Sequence, residues 1–402
     1  MVKVLAVVGT RPEAIKMAPV VHACHRHADE IDLLLCSTGQ HRHLLDDALA
    51  YFEIEAQARL DVMRANESLS QLTARCLKGV DELLEAYRPD CVVAQGDTIS
   101  AMAVSMAAFF RQVPLVHVEA GLRTGDLDAP WPEEFNRRVA TLAAALHCAP
   151  SRRAAENVID EGVPSRQVHV VGNTVVDALL WTRRRETNGR KWETAYRSLE
   201  QAPLILVTSH RRENFGRPLE NLCRAIGTLA EQYAQVHFIC PMHRNPQARV
   251  PFVERLSGRA NIHLCEALPY PEFVWLMDRS TLIITDSGGI QEEAPSLGTP
   301  VLVVRETSER DEVISSGAAR LIGTDWKAIV WEVARLLDSE AHRATFRRAT
   351  NPYGDGHAGE RIVRLLSRRA WMQTQSSRAD AGDSPIDTDQ TYRGVFRASS
   401  MR

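Results

Sequence analysis

The sequence lacks the features that would place the protein in a membrane or on a nucleic acid. No apolar run among its 402 residues reaches the roughly 20 residues of a membrane-spanning helix, and the N-terminal apolar segment is too short for a signal peptide. The 48 Lys and Arg residues are balanced by 51 Asp and Glu residues, which gives a net charge of -3. Because nucleic-acid-binding proteins usually carry a basic patch, we expect neither a membrane nor a nucleic-acid partner.

The sequence also lacks the short motifs of several large enzyme classes. It has no HExxH or paired-cysteine pattern for a metal, no GxGxxG turn for a nicotinamide cofactor, and no GxSxG or GxxxxGK[ST] loop. Its eight cysteines are scattered, and several lie in apolar strand-like runs. This usage is typical of reduced, buried thiols rather than of disulfides. We therefore expect a cytoplasmic protein without a metal site.

Short apolar runs alternate with longer amphipathic ones along the chain. Apolar strands that alternate with helices indicate parallel sheets covered on both faces. The predicted strands are 2–8, 31–36, 90–95, 114–118, 168–171, 204–208, 236–240, 261–265, 282–285 and 301–304. The predicted helices include 67–87, 218–233, 271–279 and 326–338, and the Ala-rich stretches 98–110 and 139–151 are interpreted as core helices.

This pattern predicts an α/β protein with two doubly wound, Rossmann-like domains that face each other across a cleft. A length of 402 residues agrees with two or three domains of roughly 150 residues each. The predicted limits are 1–172 for an N-terminal domain, 173–356 for a C-terminal domain, and 357–372 for a closing helix. The polar segment 373–402 has no periodicity, so we expect a disordered tail.

Ligands of parallel α/β sheets bind beyond the carboxyl ends of the strands, so the residues that follow each strand are the candidates. After the first strand, Gly9 permits a tight turn and Thr10 can cap the following helix. Arg11 and Lys16 then lie at a helix N-terminus, where the dipole and both cations favour an anion. The same residues also fit an ordinary cap with two solvated cations.

Three carboxylates follow strands of the first half. Asp97 and Glu119 come after the strands 90–95 and 114–118, and Glu133 opens a helix further along. Carboxylates gathered in one cleft have displaced pKa values, which acid/base chemistry requires. Each of them could instead pair with a neighbouring arginine or cap a helix.

The second half places a different set of residues at its strand ends. His210, followed by two arginines, comes after the strand 204–208 and is a candidate diphosphate ligand. The turn 287–289 (Ser-Gly-Gly) exposes backbone N–H groups to an anion. Glu293, one turn later, could accept hydrogen bonds from ribose hydroxyls. Together with Arg310, these residues predict a site for a nucleotide diphosphate.

With these residues in place, the chain closely resembles the non-hydrolysing UDP-N-acetylglucosamine 2-epimerases of bacteria. The resemblance covers about residues 1–372. The shared segments are GTRPEAIKMAP (9–19), TGQHR (38–42), GDT (96–98), HVEAGLRTGD (117–126), WPEEFNRR (131–138), GNTVVDALL (172–180), SHRRENFG (209–216), TDSGGIQEEAPSLGTPVLVVRETSER (285–310) and NPYGDG (351–356).

The resemblance implies a GT-B-like fold of two domains, a final helix that packs on the N-terminal domain, and a homodimer. It implies the interconversion of UDP-N-acetylglucosamine and UDP-N-acetylmannosamine through a 2-acetamidoglucal, with no cofactor. By position, the implied catalytic residues are Asp97, Glu119, Glu133 and His210. The implied UDP-binding residues are Arg11, Lys16, Phe273, Ser287, Gly288, Gly289, Glu293 and Arg310.

Bacterial members of the family also bind a second UDP-N-acetylglucosamine as an allosteric activator. The positions that match part of that site are Gln40, His41 and His243. The chain departs from the family pattern at His43 and Asn66 in this region, and at Asp311, where the family usually has proline.

Three other functions fit parts of this pattern. A glycosyltransferase of the same fold would pass the sugar to an acceptor, but three carboxylates in the first half favour proton chemistry. A relative that epimerises a more elaborate UDP-sugar, such as a diacetamido-glucuronic acid, would share the motifs. A non-catalytic sugar-nucleotide sensor is disfavoured because every acid/base position is filled.

Overall fold

The computed structural model describes residues 1–40, 42–64, 67–188, 190–368 and 371, with only the backbone of Arg42. The predicted tail 373–402 lies outside the described residues, as do His41 and Asn66. None of the helices in the described part of the chain combines the length and apolar character needed to cross a bilayer.

The first sheet has seven parallel strands in the order β3-β2-β1-β4-β5-β6-β7. The strands are β1 Val2–Val8, β2 Ile31–Ser37, β3 Ala58–Arg59, β4 Cys91–Gln95, β5 Leu115–Val118, β6 Ala144–Ala149 and β7 Val168–Val170. The strand order reverses between β1 and β4, and a doubly wound sheet binds ligands at such a switch point. We call this sheet with its helices the N-terminal lobe.

Helices cover both faces of the first sheet. They are α1 Arg11–Arg26, α2 Arg42–Tyr51, α3 Leu69–Tyr87, α4 Ile99–Phe110, α5 Glu133–Ala143 and α6 Arg152–Asp160. Polar residues start four of them: the hydroxyls of Thr10, Ser68, Thr98 and Ser151 accept hydrogen bonds from backbone N–H groups of the first turns. The helix predicted over 98–110 is thereby confirmed as α4.

The helix predicted over 139–151 is wrong in its second half. The helix α5 ends at Ala143, and the segment that follows is the strand β6, which is paired with β5 and β7. Its residues Ala145–Ala149 are buried on both faces of the sheet. A short, mostly apolar run that is buried on both faces cannot be assigned to a strand or a helix by periodicity, so the boundary left no periodic signal.

The second sheet has six parallel strands in the order β10-β9-β8-β11-β12-β13. They are β8 Leu204–Thr208, β9 His237–Pro241, β10 Ile262–Cys265, β11 Leu282–Thr285, β12 Val301–Val303 and β13 Ala319–Leu321. We call this sheet with its helices the C-terminal lobe. The helices after β7 are α7 Thr174–Asn188, α8 Lys191–Ala195, α9 Arg217–Gln232, α10 Pro246–Leu256, α11 Tyr270–Arg279, α12 Gly288–Glu293, α13 Asp311–Ser315, α14 Trp326–Asp338, α15 Glu340–Arg348 and α16 Ala358–Ser367.

The two sheets confirm the predicted α/β class with two doubly wound units. All ten predicted strands are present within about one residue at each end. The prediction missed three strands, β3, β6 and β13, of which β3 and β13 are only two and three residues long. Strands this short present too few residues for an apolar pattern to stand out.

The chain crosses between the lobes twice, near residues 172–173 and again near residues 353–354, and the two crossings are adjacent. The backbone N–H of Asn173 donates to the carbonyl of Tyr353 at 2.6 Å, so the two passages lie side by side. Gly172 and Gly354 have φ values of 94° and 119°, and a Cβ on Gly354 would lie 3.2 Å from the Cα of Gly172. Glycine is required here both for the left-handed backbone and for the close approach.

After the second passage, α16 returns to the N-terminal lobe. Its residues Ile362, Val363 and Leu366 are fully buried in the same apolar cluster as the inward side of α1. Gly359 lies against the carbonyl of Pro19, where a Cβ would come within 2.7 Å. The core of the N-terminal lobe is thus completed by a helix from the far end of the described chain.

Candidate active site

The cleft between the lobes contains two cavities that meet at His210. The smaller, of about 520 Å³, is lined by Arg11 and Lys16 of α1 and by C-terminal-lobe residues that include Phe273 and Glu293. The larger, of about 1200 Å³, is lined by Glu133 and by residues that include Arg211 and Tyr353. Both lie beyond the carboxyl ends of the two sheets, where a ligand of such a fold is expected.

The turn that carries Arg11 is held by a buried carboxylate. Glu13 accepts hydrogen bonds from the backbone of Gly9 at 2.9 Å and of Thr10 at 2.7 Å, and from the Thr98 hydroxyl at 2.7 Å. Burial raises the pKa of Glu13 to about 7, against the lowering effect of these donors. Glu13 therefore fixes the first turn of α1 to the loop that begins at Gly96.

Glu119 is the centre of the polar contacts at the end of β5. It has a φ of 65°, which is unusual for a residue other than glycine, and it is buried. Its carboxylate pairs with the Lys16 ammonium, accepts from the Gln95 amide, and accepts from the Asn173 amide at 3.2 Å. Although burial opposes it, the neighbouring carboxylates of Glu119 and Glu292 raise the pKa of Lys16 overall.

Asp97 lies beside this cluster on the adjacent strand end. A Cβ on Gly96 would be 3.7 Å from Oε2 of Glu119, so the loops that carry the two carboxylates touch. The Asp97 carboxylate pairs with Arg137 at 2.6 Å, and its backbone carbonyl accepts from Asn136 at 2.8 Å. Of the two alternatives for Asp97, an acid/base role or pairing with a neighbouring arginine, the structure therefore contains the ion pair.

Glu133 begins α5 and lines the larger cavity. It has no ion-pair partner among the described residues. The next residue, Glu134, is fully buried and instead receives Arg137 at 3.2 Å and the backbone N–H of Thr124 at 3.2 Å. Of these adjacent carboxylates, Glu134 holds the loop together and Glu133 remains available to a ligand.

His210 is positioned by a buried aspartate that the sequence analysis did not single out. Asp286 accepts from the backbone N–H of His210 at 3.0 Å and of Arg211 at 3.1 Å, and from the Ser209 hydroxyl at 2.7 Å. Its carboxylate is 3.5 Å from Nδ1 of His210. Burial lowers the pKa of His210, while Asp286 opposes the shift. The imidazole is therefore fixed in the cleft at the point where the cavities meet.

The turn 287–289 brings two guanidinium groups to one glycine. A Cβ on Gly288 would lie 3.3 Å from a terminal nitrogen of Arg211 and 3.3 Å from one of Arg310. Ser287 is the N-cap residue of α12, and its hydroxyl makes no cap hydrogen bond. Two cations over a backbone without a side chain suit a diphosphate. Arg211 is one of the two arginines beside His210 that the sequence associates with a diphosphate, but it is not among the UDP-binding residues implied by position.

The smaller cavity also contains the predicted nucleoside contacts. Glu293 accepts a hydrogen bond from the Tyr270 hydroxyl at 3.1 Å, and burial raises its pKa to about 7. Phe273 and Gly289 line the same cavity. Six of the eight predicted UDP-binding residues therefore lie on the walls of this cavity. The other two, Gly288 and Arg310, contact each other next to Ser287, which is itself on the cavity wall.

Glu292 is the main site residue that sequence reasoning missed. It is 1% exposed and lies between the lobes. Its carboxylate is 2.7 Å from Nε of Arg310, accepts from the Asn173 amide at 3.1 Å, and lies 3.9 Å from Nζ of Lys16. Only the neighbouring Glu293 was selected from the pair, since nothing in the sequence tells which of the two faces the other lobe.

Two of the three positions predicted for a second, allosteric site lie in the described residues, one in each lobe. The ring of His243 stacks on that of His210 at 5.8 Å and lines the smaller cavity. Gln40 instead accepts from the Ser100 hydroxyl at 2.8 Å in the N-terminal lobe. Since His41 is outside the described residues, the second site stays a prediction.

The described residues contain no group of three or more His, Cys, Asp or Glu side chains suited to holding a metal ion.

The fold and the site define an α/β enzyme of the GT-B-like, nucleotide-sugar class. At the level of fold alone, the chain is similar to MurG of Acinetobacter baumannii, with a TM-score of 0.55, 14% identity, and coverage of 91% of this chain and 99% of that one. The family model for UDP-N-acetylglucosamine 2-epimerase matches residues 22–367. The chain belongs to the UDP-N-acetylglucosamine 2-epimerase family and is an isomerase of the non-hydrolysing type.

Individual relatives agree with this placement. The UDP-N-acetylglucosamine 2-epimerase of Salmonella typhimurium is 47% identical over 90% of this chain and 98% of the relative. The enzyme of the same name from Escherichia coli K12 is 45% identical over 90% of this chain and 98% of the relative. The crystal structure of the Neisseria meningitidis enzyme bound to UDP-GlcNAc has a TM-score of 0.84 and 42% identity, and covers 91% of this chain and 100% of that one.

Proposed function

We propose that the protein interconverts UDP-N-acetylglucosamine and UDP-N-acetylmannosamine by eliminating UDP and adding it back. The reaction would proceed through a 2-acetamidoglucal, with loss of the C2 proton as the C1–O bond opens. The observation that carries the proposal is the division of the cleft. Acid/base carboxylates come from the N-terminal lobe, and the turn and two arginines that suit a diphosphate, at Gly288, Arg211 and Arg310, come from the C-terminal lobe.

The smaller cavity suits the uridine. Its apolar wall includes Phe273, against which the base can pack, while Glu293 offers a carboxylate to the ribose hydroxyls. The diphosphate would then reach Ser287 and Gly288, where the guanidinium groups of Arg211 and Arg310 converge. This order leaves the hexose in the larger cavity, beside His210 and Glu133.

The C-terminal lobe would increase the rate by stabilising the leaving group. The C2 proton of the sugar is only weakly acidic, so elimination requires that charge on the departing diphosphate be stabilised as the C–O bond breaks. Arg310, Arg211 and the peptide N–H groups beside Gly288 are fixed in place before the reaction. Their stabilisation of the developing charge therefore costs little reorganisation.

The carboxylates would move the proton. Epimerisation requires proton delivery to either face of the glucal, hence more than one placed acid/base group or one that moves. Glu119, held by Lys16 and Asn173, and Asp97, held by Arg137, are anchored on one side of the cleft. Glu133 approaches from the larger cavity without an ion-pair partner among the described residues. This arrangement supports proton transfer from two directions.

Incubation with UDP-N-acetylglucosamine in D2O tests the proposal. We expect deuterium at C2 and appearance of the manno epimer, with no acceptor or added cofactor. A panel that includes UDP-glucose and a UDP-diacetamido-glucuronic acid would separate the alternatives. Exchange only with the uronic acid would assign the more elaborate substrate. Absence of exchange with every sugar at saturating concentration would refute the epimerase mechanism.

The N-terminal lobe carries an apolar surface that supports a homodimer. Phe109 and Phe110, at the end of α4, are 58% and 63% exposed, and Leu142, at the end of α5, is 84% exposed. The helices α4 and α5 pack together and each leads into a parallel strand, so their ends lie on the same side of the sheet. Exposed aromatic and aliphatic groups in one patch are typical of an interface.

Sedimentation equilibrium of the wild type and of Leu142→Asp checks the dimer. We expect a dimer for the wild type and a monomer for the variant, because a charge in the centre of an apolar interface is poorly solvated. The control is Trp331→Asp, on the exposed side of α14, which should leave the dimer intact. A monomeric wild type at micromolar concentration would refute this proposal without bearing on the reaction.

A further inference from the structure

Tyr353 has a buried ring and a hydroxyl that faces the cleft. The residue is 2% exposed and is one of the largest fully buried side chains, yet it contributes to the lining of the larger cavity. Among the described residues, no hydrogen-bond partner of its hydroxyl is present, and the oxygen is not one of the buried polar atoms that lack a partner, so it reaches the space of the cavity. Packing of the ring alone does not explain a hydroxyl that opens into the cleft.

The position of Tyr353 is fixed by the passage between the lobes. Its carbonyl accepts from the backbone N–H of Asn173 at 2.6 Å, and its own N–H donates to Oδ1 of Asn351 at 3.1 Å. The amide of Asn351 in turn donates to the carbonyl of Glu292 at 2.9 Å. Tyr353 is thereby tied to the residues that hold Lys16 and Arg310.

The charges around the hydroxyl include both signs. Arg310, Glu292, Glu312 and Glu119 all act on it, and Arg310 opposes the other three. Burial, followed by the effect of Glu292, raises the pKa of Tyr353 above its ordinary value. The phenol is therefore protonated at neutral pH and can donate a hydrogen bond, while proton abstraction by a phenolate is excluded.

We propose that Tyr353 is a further catalytic residue whose hydroxyl donates a hydrogen bond to the β-phosphate oxygen that leaves C1 of the sugar. This inference rests on the proposed epimerase function. The uridine-binding cavity, the two guanidinium groups and the hexose-sized cavity follow one another along the cleft, and Tyr353 stands where the last two meet, beside Arg310. The β-phosphate oxygen attached to the sugar is the substrate atom expected there.

The step is balanced without a proton from Tyr353. The C2 proton passes to a carboxylate of the N-terminal lobe, and the C2–H electrons form the C1–C2 double bond. The C1–O bond breaks with its electron pair on the β-phosphate oxygen. That oxygen gains charge, so the Tyr353 hydrogen bond is stronger in the transition state than in the substrate. When UDP adds back, the hydroxyl keeps its proton and the hydrogen bond weakens again.

The test compares Tyr353→Phe with Tyr233→Phe. Both variants remove one hydroxyl, but that of Tyr233 bonds to Asp338 at 3.0 Å on the outer surface of the C-terminal lobe. For Y353F we expect kcat to fall about 10- to 100-fold, the range for a hydrogen bond to a charged group. The KM for UDP-N-acetylglucosamine should change little, and the melting temperature should remain that of the wild type. Y233F should keep the wild-type kcat.

Binding of UDP and UMP identifies the oxygen involved. In UDP the terminal β-phosphate carries the charge that develops during elimination, whereas UMP lacks this group. Calorimetry should therefore show weaker UDP binding by Y353F and unchanged UMP binding. A kcat within twofold of the wild type, equal weakening of UMP and UDP binding, or a Y353F chain that does not fold would each overturn the assignment. If the wild type itself gives no C2 exchange, the proposed function fails instead.

Discussion

Glu119 of the N-terminal lobe and Glu292 of the C-terminal lobe accept hydrogen bonds from the same amide nitrogen, that of Asn173, at 3.2 and 3.1 Å. Lys16 lies between the same two carboxylates. One carboxylate belongs to the proposed proton chemistry, and the other holds Arg310 at the diphosphate site. In the proposed mechanism, the shared donors couple the position of the acid/base group to that of the leaving-group ligand.

Replacing Asn173 by aspartate should uncouple these residues. The change keeps Oδ1, which accepts from the backbone of Val175 at 3.1 Å, and removes the amide that separates two buried carboxylates. Repulsion should displace Glu119. We expect kcat to fall about 10- to 100-fold, which corresponds to the free energy of one hydrogen bond to a charged group.

Steady-state kinetics measure this loss of kcat. Asn221→Asp, at an amide bonded to the carbonyl of Thr324, is the control, and an N173D enzyme with wild-type kcat would contradict the coupling.

Replacing each of the three carboxylates by its isosteric amide tests its contribution to turnover individually. Asp97→Asn, Glu119→Gln and Glu133→Gln should each lower turnover by about 10²–10⁴-fold, the usual contribution of general acid/base catalysis. UDP binding should persist in all three, since each amide keeps the shape of the side chain and none of the three is a predicted UDP ligand. The exposed Asp128 lines the same larger cavity, so Asp128→Asn is a matched control. Unchanged turnover in all three variants would reassign these groups to structural ion pairs.

Glu293 predicts a pH dependence of substrate binding near neutrality. Its carboxyl accepts most strongly from ribose hydroxyls when ionised, and burial raises its pKa to about 7. Affinity for UDP-N-acetylglucosamine should therefore fall as the pH drops through 7, about tenfold between pH 8 and pH 6. The diphosphate diester does not titrate in this range, which leaves the protein as the source.

Calorimetric titration at several pH values measures this effect. Glu293→Gln should bind more weakly at pH 8 and show a flat profile. A wild-type affinity that is constant between pH 6 and pH 8 would show that Glu293 does not contact the ribose.

The same group affects stability with the opposite sign. Because the folded-state pKa of Glu293 lies above the ordinary value of 4.5, the unfolded chain ionises first. The free energy of unfolding therefore decreases as the pH rises from about 4.5 to 7, and then levels off. Denaturant unfolding of the wild type and of Glu293→Gln should show a gap in favour of the variant that grows over this interval.

His147 predicts a gain in acid stability on replacement by leucine. The side chain is fully buried in β6, with no well-formed hydrogen bond on either ring nitrogen, and burial lowers its pKa to about 3. As the pH falls from 6.5 toward 3, His147 takes up a proton in the unfolded chain but not in the folded one. The free energy of unfolding of the wild type therefore decreases over this interval. An apolar group of similar size avoids this loss and leaves no polar atom unsatisfied.

Denaturant unfolding at pH 5 and pH 8 checks this expectation. His147→Leu should exceed the wild type at pH 5 by more than at pH 8. The exposed His25 supplies the control, since His25→Leu should show no such difference. A variant that is less stable than the wild type at both pH values would indicate a hidden polar role for His147.

The sequence was most informative where function depends on a strand end. Glycine-bearing turns and charged residues follow the strands at Gly9, Gly96 and Gly288, and parallel topology forces such ends together. Eleven of the twelve residues predicted to be catalytic or UDP-binding therefore lie on the walls of the cleft or touch a residue that does, and Asp97 reaches it through the adjacent Gly96 loop.

The site residues that the sequence analysis missed depend on contacts between distant parts of the chain. Asp286, Glu292 and Asn173 act on partners far away in the chain, and Arg211 converges with Arg310 only after the lobe has folded. Which of two adjacent carboxylates points across the cleft depends on the helix phase at α12 and on the closure of the lobes. Neither quantity is encoded in local spacing, just as the strand β6 could not be told from a buried helix by its composition.

The return of α16 has a consequence for how the protein is made. The first half of the polypeptide leaves the ribosome before Ile362, Val363 and Leu366 have been translated, so one flank of α1 has no cover at that stage. The half that bears Glu119 and Asp97 therefore attains its final packing only after the second half has been synthesised. The proposed acid/base residues can therefore reach their final environment only once α16 has emerged, and a nascent chain stalled before residue 357 would display these carboxylates on an unfinished core.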